Sequence, residues 1–249
     1  MKQFLLPSEY SGEPVISISG SDHHYIKHVR RLKKGDSFLG RDKEGRLYQL
    51  IIQAEARNTL VLRSIKKDER EDSLPSAMNL FQCLPKGNKM DLIVRQATEA
   101  GINRIVALIS DHTVNRRTGK EIIESRIPRW ERIAKEALQQ SGASVLPRIE
   151  GPIPLAEASR GLKGCNLLFH QEPLANWGLH HCLSERPAEV NILIGPEGGF
   201  ADTEIETLLK TGFQPVSMGD TVLRVETAAI AAILVVKILL LEMNSWKTC

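Results

Sequence analysis

Apolar residues recur along this chain in two rhythms, and the change from one to the other divides it. In the first quarter the runs are short and strand-like: Pro14-Val15-Ile16-Ser17-Ile18, Leu47-Tyr48-Gln49-Leu50-Ile51-Ile52 and Thr59-Leu60-Val61-Leu62. Glycine-containing turns at Lys34-Gly35-Asp36 and Lys43-Glu44-Gly45-Arg46 separate these runs, which predicts a small barrel or sandwich. Ahead of the first turn, Ser21 to Lys34 places Ile26 and Val29 on one helix face with Leu32 three residues on, and its cations fall largely on the other face. The segment Lys66 to Ser76 is almost wholly polar, carries Pro75, and marks a boundary between residues 1–72 and 73–249.

Beyond it, strand and helix patterns alternate. Strands are predicted near Met78 to Cys83, at Arg104 to Ile109, Cys165 to His170 and Val190 to Ile194, and near Pro215 to Met218. Helices are predicted from about Asn88 to Ala100, on Met90, Ile93, Ala97 and Ala100, and from about Lys120 to Gln140, on Ile123, Ile127, Trp130, Ala134 and Ala137. Pro128 would kink or break the second. A helix from Thr203 to about Lys210 has Thr203 and Glu206 as its capping box and Gly212 as its stop. A last one runs from about Thr227 to Met243, with Thr227 as N-cap. Such alternation implies an α/β fold: a mostly parallel sheet covered by helices, with ligands at the carboxyl ends of its strands.

Composition narrows the class. Hydrophobic content of 42% and charged content of 25% over 249 residues are those of an ordinary globular chain with one large or two modest domains. Cys83, Cys165, Cys182 and Cys249 lack CxxC spacing, so neither a zinc site nor a disulfide framework is expected, and a reducing cytoplasm fits. Met1 to Leu6 is cut short by Pro7, so no leader is expected. The apolar stretch Ala228 to Leu241 contains Lys237 and falls short of the roughly 20 residues that span a bilayer. Its nearly all-round apolar character is best explained by burial in a dimer interface. Charge is uneven: residues 1–70 hold 14 Lys and Arg against 9 Asp and Glu, whereas the rest hold 19 against 21. The basic helix suits phosphate contact, and reads equally well as a solvated face.

Chemistry concentrates in the last quarter. An apolar strand, Asn191 to Ile194, runs into Gly195-Pro196-Glu197-Gly198-Gly199-Phe200, and a second runs into Met218-Gly219-Asp220-Thr221-Val222-Leu223-Arg224-Val225-Glu226-Thr227-Ala228. Two such turns at the ends of neighbouring strands can enclose a small ligand and bring backbone groups close to it. Neither GxGxxG nor GxxxxGK[ST] occurs, which removes support from dehydrogenase and nucleotidase readings. A bland reading stands beside this one: the first turn as a plain connection, and Arg224 with Glu226 as an ion pair closing a helix end.

The strand-GPEGGF turn followed by MGDTVLRVETA resembles the cofactor-binding core of the SPOUT methyltransferases. The likeness is closest to the RsmE family, which methylates N3 of a uridine in bacterial 16S ribosomal RNA. It extends over nearly the whole chain, through His23 to Asp36, Pro85 to Gly101 and Glu136 to Gly142. The resemblance implies a parallel α/β sheet ending in a C-terminal trefoil knot, preceded by a PUA-like RNA-binding β-barrel. It implies S-adenosylmethionine as cofactor, a homodimer, the small ribosomal subunit as partner, no membrane, and a cytoplasmic site of action. Cofactor contacts would come from Leu168, His170 and Glu172, from Ile194, Gly195, Pro196, Glu197, Gly198 and Gly199, and from Met218, Gly219, Val222, Leu223 and Arg224. Arg224, Glu226 and Glu197 are the catalytic candidates, with Lys27, Arg30, Arg31, Lys33, Lys86, Lys89, Arg116 and Arg117 for RNA.

Several positions depart from the family pattern: Ala143, His112 and Thr221 stand where arginine is usual. A non-catalytic RNA-binding protein and a 2′-O-ribose methyltransferase are therefore the alternatives. Uridine N3 must lose a proton before its lone pair attacks, so a base, or cationic donors for the developing uracil anion, is expected. His24 and His28 have metal-compatible spacing but no third ligand nearby, so no metal is expected. His180-His181-Cys182 reads as a surface loop, and Cys83 and Cys165 as core residues.

Overall fold

The computed structural model describes residues 3–67, 76–113, 125–172, 174 and 178–242. Two compact units make up the chain: Met1–Asp72 together with Leu138–Val145, and Ser73–Ala137 with Leu146–Cys249.

The first unit is built on a five-stranded sheet in the order β1-β3-β4-β5-β2. Its strands are β1 (Phe4–Leu5), β2 (Val15–Ser19), β3 (Ser37–Arg41), β4 (Leu47–Ala56) and β5 (Thr59–Lys66). Period-two alternation does the folding work here: Tyr48, Leu50 and Ile52 of β4 and Leu60 and Leu62 of β5 all point into one core with Phe4, Ile18, Ile26 and Phe38. Asp42, its side chain fully buried, accepts hydrogen bonds from the Arg46 amide at 2.8 Å, Arg46 Nε at 2.7 Å and the Tyr48 hydroxyl at 3.1 Å. Burial and the Asp42 hydrogen bond push the Tyr48 phenol up to about 12.

The basic segment is helical but its face differs from the expected one. Helix α1 (Gly20–His24) continues as a π-helical turn, Tyr25–Val29, closed by an i to i+5 bond from Arg30 N to Tyr25 O. The wider turn carries Val29 off the buried face: Ile26 and His23 are buried, whereas Val29 is 60% exposed. Arg31, with φ of 57°, ends the run.

The second unit holds a six-stranded sheet, every neighbouring pair parallel, in the order β11-β9-β10-β6-β7-β8. These strands are β6 (Ala77–Cys83), β7 (Arg104–Ile109), β8 (Arg148–Pro154), β9 (Cys165–His170), β10 (Glu189–Ile194) and β11 (Gln214–Ser217). Helices α2 (Lys89–Ala100), α3 (Ile127–Ser141), α4 (Leu155–Ala158), α5 (Leu179–Leu183), α6 (Asp202–Lys210) and α7 (Val225–Glu242) accompany them. Apolar residues on both faces of each central strand require cover on both sides. Met78, Leu80, Val190 and Ile192 pack with residues of α2, α3 and α7, while Phe81, Cys83 and Leu193 pack with Leu155, Phe200 and Leu208. Three asparagines cross the sheet side by side: Asn79 donates to Asn191 at 2.9 Å, and Asn191 to Asn166 at 2.7 Å.

Helix ends depart from expectation in three places. Helix α3 begins at Ile127, so Pro128 lies in its first turn, where a missing N–H is harmless. Residues 120–124 and Met243 lie outside the described residues. Ala201, not Thr203, precedes α6, and Glu204 rather than Glu206 reaches back to the Ala201 amide at 2.9 Å. Helix α7 starts at Val225, ahead of Thr227, and the Arg224 carbonyl takes the first helical bond from Ala228 at 2.8 Å.

Candidate active site

Parallel pairing puts the carboxyl ends of β9, β10 and β11 on one side, and the segments leaving all three meet around a cavity of about 250 Å³. His170 comes from the end of β9, and Ile194, Gly195, Pro196, Glu197 and Gly199 from the end of β10. Met218, Gly219, Val222, Leu223 and Arg224 follow β11. The two glycine turns thus share one chamber, although they are separated by α6 and β11 in the chain. Gly199 and Gly219 have φ of 68° and 95°, a backbone that resists any other residue.

Three expected contacts are placed elsewhere. Leu168 is fully buried in the cluster with Leu193 and Leu208 and is absent from the lining, whereas the next residue, Phe169, turned to the opposite face by the alternation of the strand, lines the cavity. Glu172 is exposed, its amide donating to His170 Nδ1 at 3.1 Å. Gly198 is outside the lining, and a Cβ built there would meet the His112 Cβ at 3.1 Å. Conversely Lys89, Phe169, Gln171, Phe200, Thr221, Val225 and Ala228 line the chamber without having been expected to. Phe200, Thr221, Val225 and Ala228 stood within the quoted turns, Phe169 and Gln171 lie between the residues expected from the end of β9, and Lys89 had been expected to meet RNA.

Charge organises one wall. Glu197 accepts the Lys86 amide on both oxygens at 3.2 Å and Lys89 Nζ at 2.7 Å. Lys89 also faces Glu226 Oε2 at 3.5 Å, so Glu226 is tied to α2 instead of closing its helix with Arg224. Partial burial pushes the Glu197 carboxyl up, but the Lys89 hydrogen bond and the amides of Glu197 and Lys86 outweigh it and hold it below the ordinary 4.5. Glu197 in turn raises the Lys89 ammonium. Glu226 is not itself among the lining residues: it stands next to the lining residue Val225, with its Oε2 buried and facing the Lys89 ammonium.

The expected RNA contacts scatter. Lys89 belongs to the cavity wall, Lys86 is exposed beside it, and Lys27 is bonded to Glu55 at 2.5 Å. Arg31 and Lys33 are exposed around the end of the basic helix, with Arg30 half-buried; Arg116 and Arg117 lie outside the described residues. Burial pushes the thiols of Cys83 and Cys165 up to about 12, which unsuits both for nucleophilic work. Among the described residues no group of three His, Cys, Asp or Glu could hold a metal ion, and no helix is long and apolar enough to cross a membrane.

Comparison with known proteins agrees with this geometry. Residues 72–237 match the RNA methyltransferase domain family, and residues 18–63 the RNA methyltransferase PUA domain. The ribosomal RNA small subunit methyltransferase E of Synechocystis is 30% identical over 234 residues, covering 92% of this chain and 74% of that protein. The protein of the same name from Buchnera aphidicola of Schizaphis graminum is 30% identical over 230 residues, 90% of each. A Legionella pneumophila methyltransferase solved with bound SAM superimposes with a TM-score of 0.82 at 26% identity, over 95% of this chain and 97% of that one. The small subunit methyltransferase E of Neisseria gonorrhoeae shares the fold, with a TM-score of 0.84 at 23% identity, over 96% of this chain and 98% of that one. The chain belongs to the RNA methyltransferase family that includes the ribosomal RNA small subunit methyltransferases E, with an N-terminal PUA domain ahead of its methyltransferase domain.

Proposed function

We propose that this chain methylates N3 of a uridine in the 16S RNA of the small ribosomal subunit, with S-adenosylmethionine as donor. The convergence of both glycine turns on one chamber at the carboxyl ends of β9, β10 and β11 carries the reading. Its lining fits a nucleoside joined to an amino acid: Phe169, Ile194, Met218 and Leu223 offer apolar surface to a ring, while backbone groups, Glu197 and Arg224 address polar ends. When bound, the sulfonium supplies an activated methyl group.

The residues divide the remaining tasks. Glu197, engaged by Lys86 and Lys89 and held acidic, fixes the chamber wall and is poorly suited to accept a proton. Glu226, next to the lining residue Val225, with its Oε2 buried and held less closely by Lys89 (3.5 Å) than Glu197 is (2.7 Å), is the residue we assign to receive the N3 proton. Arg224 lines the chamber and balances the negative charge that develops on uracil oxygen. Holding the base in line and excluding water does the rest. The Watson–Crick edge of the target must be unpaired, so a splayed-out nucleotide is the substrate. Arg31 and Lys33 of the PUA domain, exposed cations, are the residues we assign to phosphates of the RNA.

Two architectural statements belong to the same reading. The segment between β10 and β11 threads a trefoil knot, supported by β11 pairing with β9 across from β10. The protein works as a homodimer through the outer face of α7, where Leu234, Val235, Ile238 and Leu241 are 43%, 46%, 50% and 54% exposed. A ribosomal substrate places the work in the cytoplasm. Calorimetry with S-adenosylmethionine, then methyl transfer to unmethylated small-subunit particles and digestion of the RNA to nucleosides, tests the proposal. Methyl on uridine N3 is expected. Methyl on a ribose 2′-oxygen, or binding without transfer, would replace it with one of the alternatives.

A further inference from the structure

The glycine turn is braced from a direction the cavity does not reveal. Gly198 is the member of the Gly195 to Gly199 turn that stays out of the chamber lining. Its carbonyl lies 2.9 Å from His112 Nδ1. A carbonyl only accepts, so the proton sits on Nδ1 and the imidazole donates. One residue earlier, the Asp111 amide donates to Glu204 Oε1 at 2.7 Å, and the other oxygen of Glu204 holds the Ala201 amide at 2.9 Å. The brace is itself stiff: the Ser110 amide donates to Thr113 Oγ1 at 3.0 Å and the Thr113 amide returns to the Ser110 carbonyl at 3.1 Å, both residues buried at the end of β7.

We propose that His112 is a positioning residue for the cofactor turn: its imidazole, with the Asp111–Glu204 strap, holds Gly195 to Ala201 in the binding shape before the ligand arrives. Glu197 ties the front of this three-glycine stretch to Lys86 and Lys89; the glycine pair that follows it would lose conformational freedom on binding, and the brace removes that loss. The absent side chain at 198 then serves the packing of His112 and not the ligand. The inference rests on the chamber being the S-adenosylmethionine site, and the test separates the two.

Wild-type protein is titrated with S-adenosylmethionine by calorimetry beside His112→Ala, His112→Phe and His112→Asn. Loss of one hydrogen bond is expected to weaken binding about five- to tenfold in the first two, whereas the Asn amide can still donate and stays within about twofold of wild type. In steady-state transfer to small-subunit particles, KM for S-adenosylmethionine rises by the same factor in the Ala and Phe variants while kcat at saturation holds. Wild-type binding with unchanged affinity in both variants overturns the brace alone, as does a fall in kcat without a rise in KM. Failure of wild type to bind overturns the reading of the chamber and the brace with it.

Discussion

Removing the Glu197 carboxylate should loosen the chamber by an amount its contacts set. In Glu197→Ala the Lys86 amide loses its acceptor and Lys89 loses its nearer partner at 2.7 Å, leaving the loop ahead of α2 unanchored to the glycine turn. Hydrogen bonds to a charged group contribute about 1.5–3 kcal/mol when buried. The Glu197 and Lys89 side chains are 23% and 34% exposed, so solvent screening brings the sum to about 1–2 kcal/mol. If that falls on the binding-competent shape, the S-adenosylmethionine dissociation constant rises about five- to thirtyfold. Glu197→Gln keeps an acceptor for Lys86 and loses only the charge, so its effect is smaller, about two- to fivefold. The pH dependence follows from the directions of the shifts. A depressed carboxyl contributes above its ordinary 4.5 and ceases to as pH falls through its folded value; a raised ammonium contributes below its ordinary 10.5 and ceases to as pH rises through its own. The gap between wild type and Glu197→Gln is therefore flat from roughly pH 6 to 9 and closes in acid. Calorimetry from the alkaline end of that range down to below the ordinary 4.5 is the assay. Equal affinity of wild type and Glu197→Ala at neutral pH would refute the anchoring role, and a gap undiminished well below the ordinary 4.5 would refute its electrostatic origin.

Three further outcomes are expected. Asp42→Ala leaves the Arg46 and Tyr48 donors without their buried acceptor and should destabilise the N-terminal unit by about 2–3 kcal/mol in urea unfolding; an unchanged midpoint would contradict the network. Ile238→Glu places a charge in the exposed apolar row of α7; if the proposed homodimer forms there, wild type should sediment as a dimer and the variant as a monomer, and a monomeric wild type would remove the dimer from the proposal. Arg224→Ala should lower kcat for methyl transfer about a hundredfold or more, and a wild-type kcat would remove the residue from the charge-balancing role.

Strongly periodic elements were readable from the chain: β6, β7, β9, β10, α2 and α7 lie where their apolar spacing predicted, and the fold class followed from their alternation. Strand β8 was not among the predicted strands, since Gly151, Pro152 and Pro154 break its β-pattern; the prolines are tolerated because β8 is an edge strand, with one side free of ladder bonds. Strand β1, Phe4–Leu5, is too short to show a period. Val29 was misplaced because a π turn has the same local composition as an α turn. The cavity turns were legible as glycine-rich strand ends, but the groups that brace them were not. Glu197 reaches Lys89 across 108 positions and Gly198 reaches His112 across 86, separations at which periodicity carries no information. Alternation along β9 was visible, yet which of its faces met the chamber depended on neighbours.

The row formed by Asn79, Asn191 and Asn166 bears on how the sheet finds its alignment. Parallel strands have no hairpin to index them, and Asn79 and Asn191 are 112 residues apart in the chain. Sliding any one of the three by a single position would turn its amide to the opposite, apolar layer, stranding donors at about 1–3 kcal/mol each. The amides thus work as a vernier: greasy β-segments could slip past one another at little expense, but only one setting lets all three click together, and that setting fixes the height at which the first glycine bend leaves β10.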